Sequence, residues 1–171
     1  MTIQTLFKPD GPLASHIDGF VARAPQLAMA EAVSSAIKSG GRLLVEAGTG
    51  TGKTYAYLVP ALESGKRVVI STGSKNLQEQ LFYRDLPTIT GALSYTPPVA
   101  LLKGRSNYLC IERMNRLLSE SHLQKPDILN DLVKVKSWST ATDNGDVGDI
   151  PGLQENAANL APFRGRSSEG G

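Results

Sequence analysis

LLVEAGTGTGKTYAYLVPAL, residues 43–62, joins an apolar run, a glycine-rich loop and a helix. Its first part belongs to a short apolar run, RLLVEA, suited to a buried strand. A glycine- and threonine-rich loop follows. From Lys53 to about Glu63 the residues suit a helix, ended by Ser64, Gly65 and Lys66. The loop AGTGTGKT spans Ala47 to Thr54 and departs from the strict G-x-x-x-x-G-K-[ST] pattern in having Ala47 at its first position. Gly48, Gly50 and Gly52 free the backbone to turn so that successive N–H groups converge on an anion, with Thr49 and Thr51 between them. Lys53 is a point charge for β- and γ-phosphates, and Thr54 offers a hydroxyl to Mg²⁺. The helix N-terminus aims its dipole at the same place. The alternative, a Gly/Thr-rich turn with a chance lysine, has to place eight positions in register by accident. The pattern predicts binding of a nucleoside triphosphate but says little about the reaction.

Residues 1–22 are punctuated by proline and glycine and read as irregular. APQLAMAEAVSSAIKSGG (24–41) reads as a helix with Met29, Val33, Ala36 and Ile37 on one face and Gly40 and Gly41 as its stop. RVVIST (67–72) is a second β-branched run. SKNLQEQLFYRDL (74–86) has helical spacing at Leu77, Leu81 and Phe82, with Ser74 placed to cap it. YTPP (95–98) is a turn, and VALL (99–102) a third candidate strand. YLCIERMNRLLSESHL (108–123) and KPDILNDLVKVKSW (125–138) read as two further helices, the second with Pro126 in its first turn. Beyond Trp138 no periodicity survives, and residues 151–171 are expected to be disordered. Strands alternating with helices predict an α/β fold with a parallel sheet and right-handed crossovers. Ligands of such sheets lie at the carboxyl ends of the strands, where the glycine loop falls.

The 171 residues are 40% hydrophobic and 20% charged, which suits one globular domain, or one and a piece. No window approaches the ~20 apolar residues of a membrane span. No charged start followed by an apolar run marks a secretory signal. Cys110 is the single cysteine, so no internal disulfide forms, and a cytoplasmic location is expected. Net charge is +2, but Lys66, Arg67, Lys75, Arg84, Lys103, Arg105, Arg113 and Arg116 face only Glu79, Asp85 and Glu112 across residues 66–116. An acidic stretch follows to residue 149. This distribution fits contact with phosphate or nucleic acid, and equally a solvated mixed surface.

Three features beyond the loop carry a resemblance. AGTGTGKT has the A-x-x-G-x-G-K-T form of superfamily 2 helicases. Arg23-x-x-Gln26 lies upstream, where such enzymes place an adenine-reading glutamine. VVISTGSKNLQEQL (68–81) and LLKGRSNYLC (101–110) are similar to the next motif and to the segment bearing the first cysteine of an iron–sulfur domain. Together they resemble the XPD/DinG family of iron–sulfur DNA helicases over about residues 15–150. That resemblance implies a RecA-like ATP-binding portion over 23–103 and the start of a helical iron–sulfur domain over 104–150.

The resemblance also implies roles for particular residues. Gln26 would read adenine through its N6 and N7 edge, with Arg23 in support; a polar residue in the first turn of an amphipathic helix is the plain alternative. Thr72, Gly73 and Ser74 would contact a DNA phosphate, or serve as an ordinary helix cap. Lys103 and Arg105 would grip phosphate and Tyr108 would stack on a base, or they are surface charges and a core aromatic. Cys110 would be one of four thiolate ligands of a [4Fe–4S] cluster in the family, where a lone cysteine is otherwise a small buried apolar residue. With the other three thiolates missing, and neither His16 nor His122 suited to replace them, no stable cluster is expected in these 171 residues.

No Asp-Glu dipeptide occurs in the sequence. Such a pair would hold Mg²⁺ and polarise the attacking water. The expectation is therefore an ATP-binding N-terminal portion, truncated or frame-shifted, of a 5′-to-3′ DNA helicase of repair, acting on single-stranded or forked DNA. Hydrolysis by this portion alone is expected to be weak. Two rivals stay open: a small P-loop kinase, and a non-catalytic nucleotide-dependent interaction module.

Overall fold

The computed structural model describes residues 1–120, 126–153 and 158–165. They form two compact units, Met1–Leu101 and Leu102–Gly171.

In the first unit, residues 1–22 are not irregular as expected: they hold two short helices, α1 (Ile3–Leu6) and α2 (Pro12–His16). The Thr2 side chain accepts the Thr5 amide and caps α1, and Pro12 starts α2. Ile3, Leu6 and Phe7 recur at one helical face and are buried with Leu13, so apolar spacing outweighs the Gly and Pro punctuation. Helix α3 (Ala24–Ser39) ends at Gly40, whose φ of +68° is the left-handed turn that glycine adopts without strain. Helix α4 (Lys53–Glu63) packs along α3 and buries Ala56, Leu58, Val59 and Ala61. Helix α5 (Lys75–Gln80) starts at Ser74, whose Oγ accepts the Leu77 amide at 3.3 Å. A wide π-helical turn, Leu81–Asp85, then leads into α6 (Leu86–Leu93). The run expected over 74–86 therefore extends a further two turns. Leu81, Leu86 and Ile89 join Leu6, Leu13, Ala30 and Val59 in one core.

The three candidate strands differ from expectation. Residues 42–47, 67–72 and 99–102 have no assigned helix or strand and belong to no ladder among the described residues. Each nonetheless keeps the two-residue alternation of a strand. Leu43 and Val45 are 45% and 38% exposed, while Leu44 between them is 98% exposed. Val68 and Ile70 are likewise more covered than Val69, which is 91% exposed. The inner residues meet helices: Leu43 and Val45 share a groove with Met29, Val33, Ala36 and Ile37. Val68, Ile70 and Val99 line another with Leu58, Leu62 and Leu86. The side chains are thus poised as in a half-covered sheet.

In the second unit, Tyr108–Cys110 is extended rather than helical. Leu109 N donates to Gly145 O at 2.9 Å, Cys110 N to Phe163 O at 2.8 Å, and Gly165 N to Tyr108 O at 3.1 Å. These bonds delay helix α7 to Ile111–Ser119; α8 spans Pro126–Ser139. Met114, Leu132 and Val135 pack with Val147, Ile150, Leu160 and Phe163. The last two lie in the stretch expected to be disordered. Residues 158–163 form a 3₁₀ turn whose three-residue period escapes a search for α or β spacing. The rest of that expectation, on 154–157 and 166–171, falls outside the described residues, as does His122.

Candidate nucleotide-binding site

The glycine loop is held from two sides. Gly50 and Gly52 adopt φ of +76° and +77°, the left-handed conformation that side-chain-bearing residues resist. Thr51 Oγ1 donates to Gly48 O at 3.0 Å and tightens the turn. From the first turn of α3, Gln26 Nε2 donates to Gly52 O at 3.1 Å, and the Arg23 guanidinium donates to Gly50 O. Lys53 Nζ donates to Ala47 O at 2.8 Å and to Gly48 O at 2.7 Å. The structure thus gathers Arg23, Gln26, Ala47, Gly48, Gly50, Gly52 and Lys53 in one place.

Two observations bear on what the loop can hold. A Cβ built on Gly48 or Gly50 meets nothing within 4 Å, so the loop faces open space. A Cβ on Gly52 falls 2.1 Å from Gln26 Nε2, so that side is filled. The open side lies before the N-terminus of α4, whose first residue is Lys53 and whose flanking Gly52 offers no side-chain cap, so the helix start is free to meet an anion. Thr54 follows Lys53 in the first turn of α4. Its hydroxyl would offer one oxygen to Mg²⁺, with phosphates and water filling the remaining positions.

The loop forms one wall of a cleft of about 830 Å³ that also includes Phe20, Tyr55, Leu77, Gln80, Arg84 and Asp85. Apart from Arg84, counted in the basic stretch, the sequence did not point to these residues. Phe20 stacks on Tyr55, with ring centroids 6.1 Å apart and planes inclined by 24°. Burial, and then the Asp85 carboxylate, raise the Tyr55 phenol above its ordinary pKa of 10.0. Tyr57 is raised too, by burial first, with Thr54 opposing and Asp85 adding. Asp85 is 4% exposed and accepts from Gln80 Nε2 at 3.1 Å and Arg84 Nε at 3.0 Å. Nothing in the spacing of YRDL distinguishes this acid from a solvated one.

The remaining candidates lie elsewhere. The Thr72 hydroxyl donates to Ser74 O at 3.3 Å and Ser74 caps α5, so both are engaged in the helix start beside an open Gly73. Lys103 is not a free surface cation. Its ammonium lies 2.8 Å from Asp146 Oδ2, and the two side chains are 7% and 9% exposed. Tyr108 is half-buried, and its hydroxyl accepts the Lys103 amide at 2.8 Å. Arg105 is exposed. Cys110 is a free thiol at the start of α7. Among the described residues no group of three His, Cys, Asp or Glu side chains is placed to hold a metal ion. One thiol does not fit the four-thiolate demand of an iron–sulfur cluster.

Comparison with known proteins gives a consistent result. The sequence profile described as DEAD/DEAH box helicase matches residues 27–141. The chain is 54% identical over 151 residues to ATP-dependent DNA helicase YoaA of Escherichia coli K12, covering 88% of the chain and 24% of that protein. It is 50% identical over 155 residues to YoaA of Haemophilus influenzae, covering 91% and 24%. It is 39% identical over 157 residues to ATP-dependent helicase DinG of Mycobacterium tuberculosis H37Ra, covering 79% and 24%. The chain therefore spans about a quarter of the length of these relatives. No solved structure matches it. A nucleotide-type loop braced by the upstream Arg23 and Gln26, and a family profile matching most of the sequence, lead to one assignment: the chain belongs to the DEAD/DEAH box helicase family.

Proposed function

We propose that the chain binds Mg²⁺–ATP for an ATP-dependent DNA helicase of the YoaA/DinG type, a hydrolase of DNA repair that moves 5′-to-3′ on single-stranded or forked DNA. The observation that carries this reading is the pair of bonds from Arg23 and Gln26 to alternate carbonyls of the glycine loop. They join the adenine side of the cleft to the phosphate side in one rigid piece. Family membership implies a RecA-like P-loop fold. The parallel order of the runs at 42–47, 67–72 and 99–102 within that fold is part of the proposal.

The residues would act as follows. Gln26 uses one of its two amide hydrogens on Gly52 O and keeps the other, with its carbonyl oxygen, for the adenine edge. Lys53 exchanges its two loop carbonyls for phosphate oxygens. Loop amides from Gly48 to Thr54, including Thr49 and Thr51, converge on the same oxygens. Mg²⁺ supplies charge neutralisation on the phosphates, and the Thr54 hydroxyl is its protein ligand. Thr72, Gly73 and Ser74 would present a helix start to a DNA phosphate, with Arg105 and Tyr108 as separate contacts. In the full-length proteins Cys110 would be the first thiolate of a [4Fe–4S] cluster.

Calorimetry with Mg²⁺–ATP tests the reading. Saturable binding is expected, weakened roughly 10- to 100-fold by Lys53→Ala through the loss of a charged hydrogen bond. Because the sequence contains no Asp-Glu pair, DNA-stimulated turnover should be weak. Absence of binding by folded chain refutes the ATP reading. Robust turnover abolished by Lys53→Ala refutes the expectation of weak hydrolysis.

A further inference from the structure

The π-helical turn at Leu81–Asp85 has a consequence for the nucleotide cleft. Residues five apart come together in such a turn, whereas an α-helix brings together residues three and four apart. Here the turn brings Gln80 onto Asp85, and the Gln80 Nε2 to Asp85 Oδ2 bond is such a five-residue contact. Arg84 Nε takes the other carboxylate oxygen. The acid is buried, with a side-chain exposure of 5%, so its two partners are held firmly. Arg84 is not buried: its side chain is 68% exposed and lines the same cleft as Lys53 and the glycine loop. Nε is only one of its five N–H donors. The terminal amino groups have no other protein partner among the described residues. The π-helical turn packs against α4, and Arg84, Asp85 and Tyr55 line the same cleft.

We propose that Arg84, held at the cleft by the buried Asp85 carboxylate, is a second cation for the nucleotide's polyphosphate, and that Asp85 is its positioning residue. The inference rests on the reading of the cleft as a nucleotide site. An arginine pinned through Nε presents its two terminal amino groups as a fixed fork, the geometry that suits phosphate oxygens. The same helical run begins at Ser74, ten residues or about 15 Å away along an α-helical rise. A ligand drawing on Arg84 therefore pulls on the element whose start is proposed to meet DNA.

Calorimetry of the whole chain with Mg²⁺–ATP, Mg²⁺–ADP and AMP tests it, using wild type, Arg84→Gln, Arg84→Lys, Asp85→Asn and Lys53→Ala, each checked by thermal melting. Arg84→Gln should weaken ATP binding by roughly tenfold, the worth of one charged hydrogen bond at a partly exposed site, and AMP binding by less than about twofold. The ADP arm shows whether the β- or the γ-phosphate is the contact. Arg84→Lys should recover part of the loss. Asp85→Asn should reproduce it, and Arg84→Gln combined with Asp85→Asn should lose no more than either alone; if Asp85→Asn melts early, the two Arg84 variants still decide. ATP binding within twofold of wild type in Arg84→Gln, with Lys53→Ala impaired, overturns this proposal and leaves the nucleotide site standing. Equal losses for ATP, ADP and AMP assign Arg84 to the base, sugar or α-phosphate that all three share, and overturn its role on the β- and γ-phosphates. Wild type that binds no nucleotide overturns the underlying reading and this proposal together.

Discussion

Replacing Gly52 by alanine tests the loop's brace through two separable costs. Gly52 sits at φ +77°, where a side-chain-bearing residue is strained by about 1–2 kcal/mol. The new Cβ would also stand 2.1 Å from Gln26 Nε2 and 2.8 Å from its Cδ, so the amide must move. Gln26 is 5% exposed, and displacing it breaks the bond to Gly52 O in a site where water does not easily replace it. Leaving such a group unsatisfied costs about 1–3 kcal/mol. The expected loss is the sum, about 2–5 kcal/mol. Gly50→Ala is the internal control: φ is +76°, but nothing lies within 4 Å of its Cβ, so only the backbone cost of about 1–2 kcal/mol applies. Urea unfolding followed by far-UV circular dichroism measures both. In a Gln26→Ala background the Gly52→Ala cost should fall to that of Gly50→Ala. Equal destabilisation by the two glycine substitutions in the wild-type background would show that Gln26 does not rest on Gly52, and the bracing argument would fail.

Three further outcomes follow from the geometry. Lys103→Met should destabilise the chain by about 3–5 kcal/mol, because it strands the buried Asp146 carboxylate. Lys103→Met with Asp146→Leu should recover most of that in the same urea assay, whereas a surface pair would show almost no effect in either variant. Tyr55 and Tyr57 have raised pKa values, so the folded chain holds their protons more tightly than the unfolded chain. Their contribution is complete below pH 10 and is lost as pH rises through their folded values. Melting temperature should therefore drop more steeply above pH 10 in wild type than in Tyr55→Phe/Tyr57→Phe; parallel curves would contradict the burial of those phenols. Leu44→Lys and Val69→Lys, at outward positions of the unpaired runs, should raise the solubility limit without lowering the melting temperature, and an early melt would mean those side chains are packed.

What the sequence made legible was local. The helix Lys53–Glu63 and the stops at Gly40 and Gly65 are written in spacing and in glycine, because a helix satisfies its backbone within itself. The runs at 42–47, 67–72 and 99–102 were legible as strand-like segments, and their alternating exposure agrees, but pairing depends on neighbours distant in sequence. The glycine loop with Gln26 and Arg23 was legible as a pattern. Asp85, Phe20 and Tyr55 were not, since only packing brings them to the cleft. Lys103 looked like a surface cation because its partner, Asp146, lies 43 residues further on. Phe163 sat in a stretch without α or β periodicity, yet α7 and α8 close over it.

The two carbonyl bonds of Lys53 change how a substitution there should be interpreted. The ammonium is a strut across the mouth of the loop, tying Ala47 and Gly48 to the helix that follows. Removing it takes away a ligand contact and slackens the frame at once, so the measured drop in affinity is a composite of the two. A thermal melt without nucleotide separates them, because only the slackened frame lowers it. An incoming triphosphate meets the same linkage from the other side: it must draw the strut away from the carbonyls, so seating the ligand and loosening the loop's own scaffold are one event.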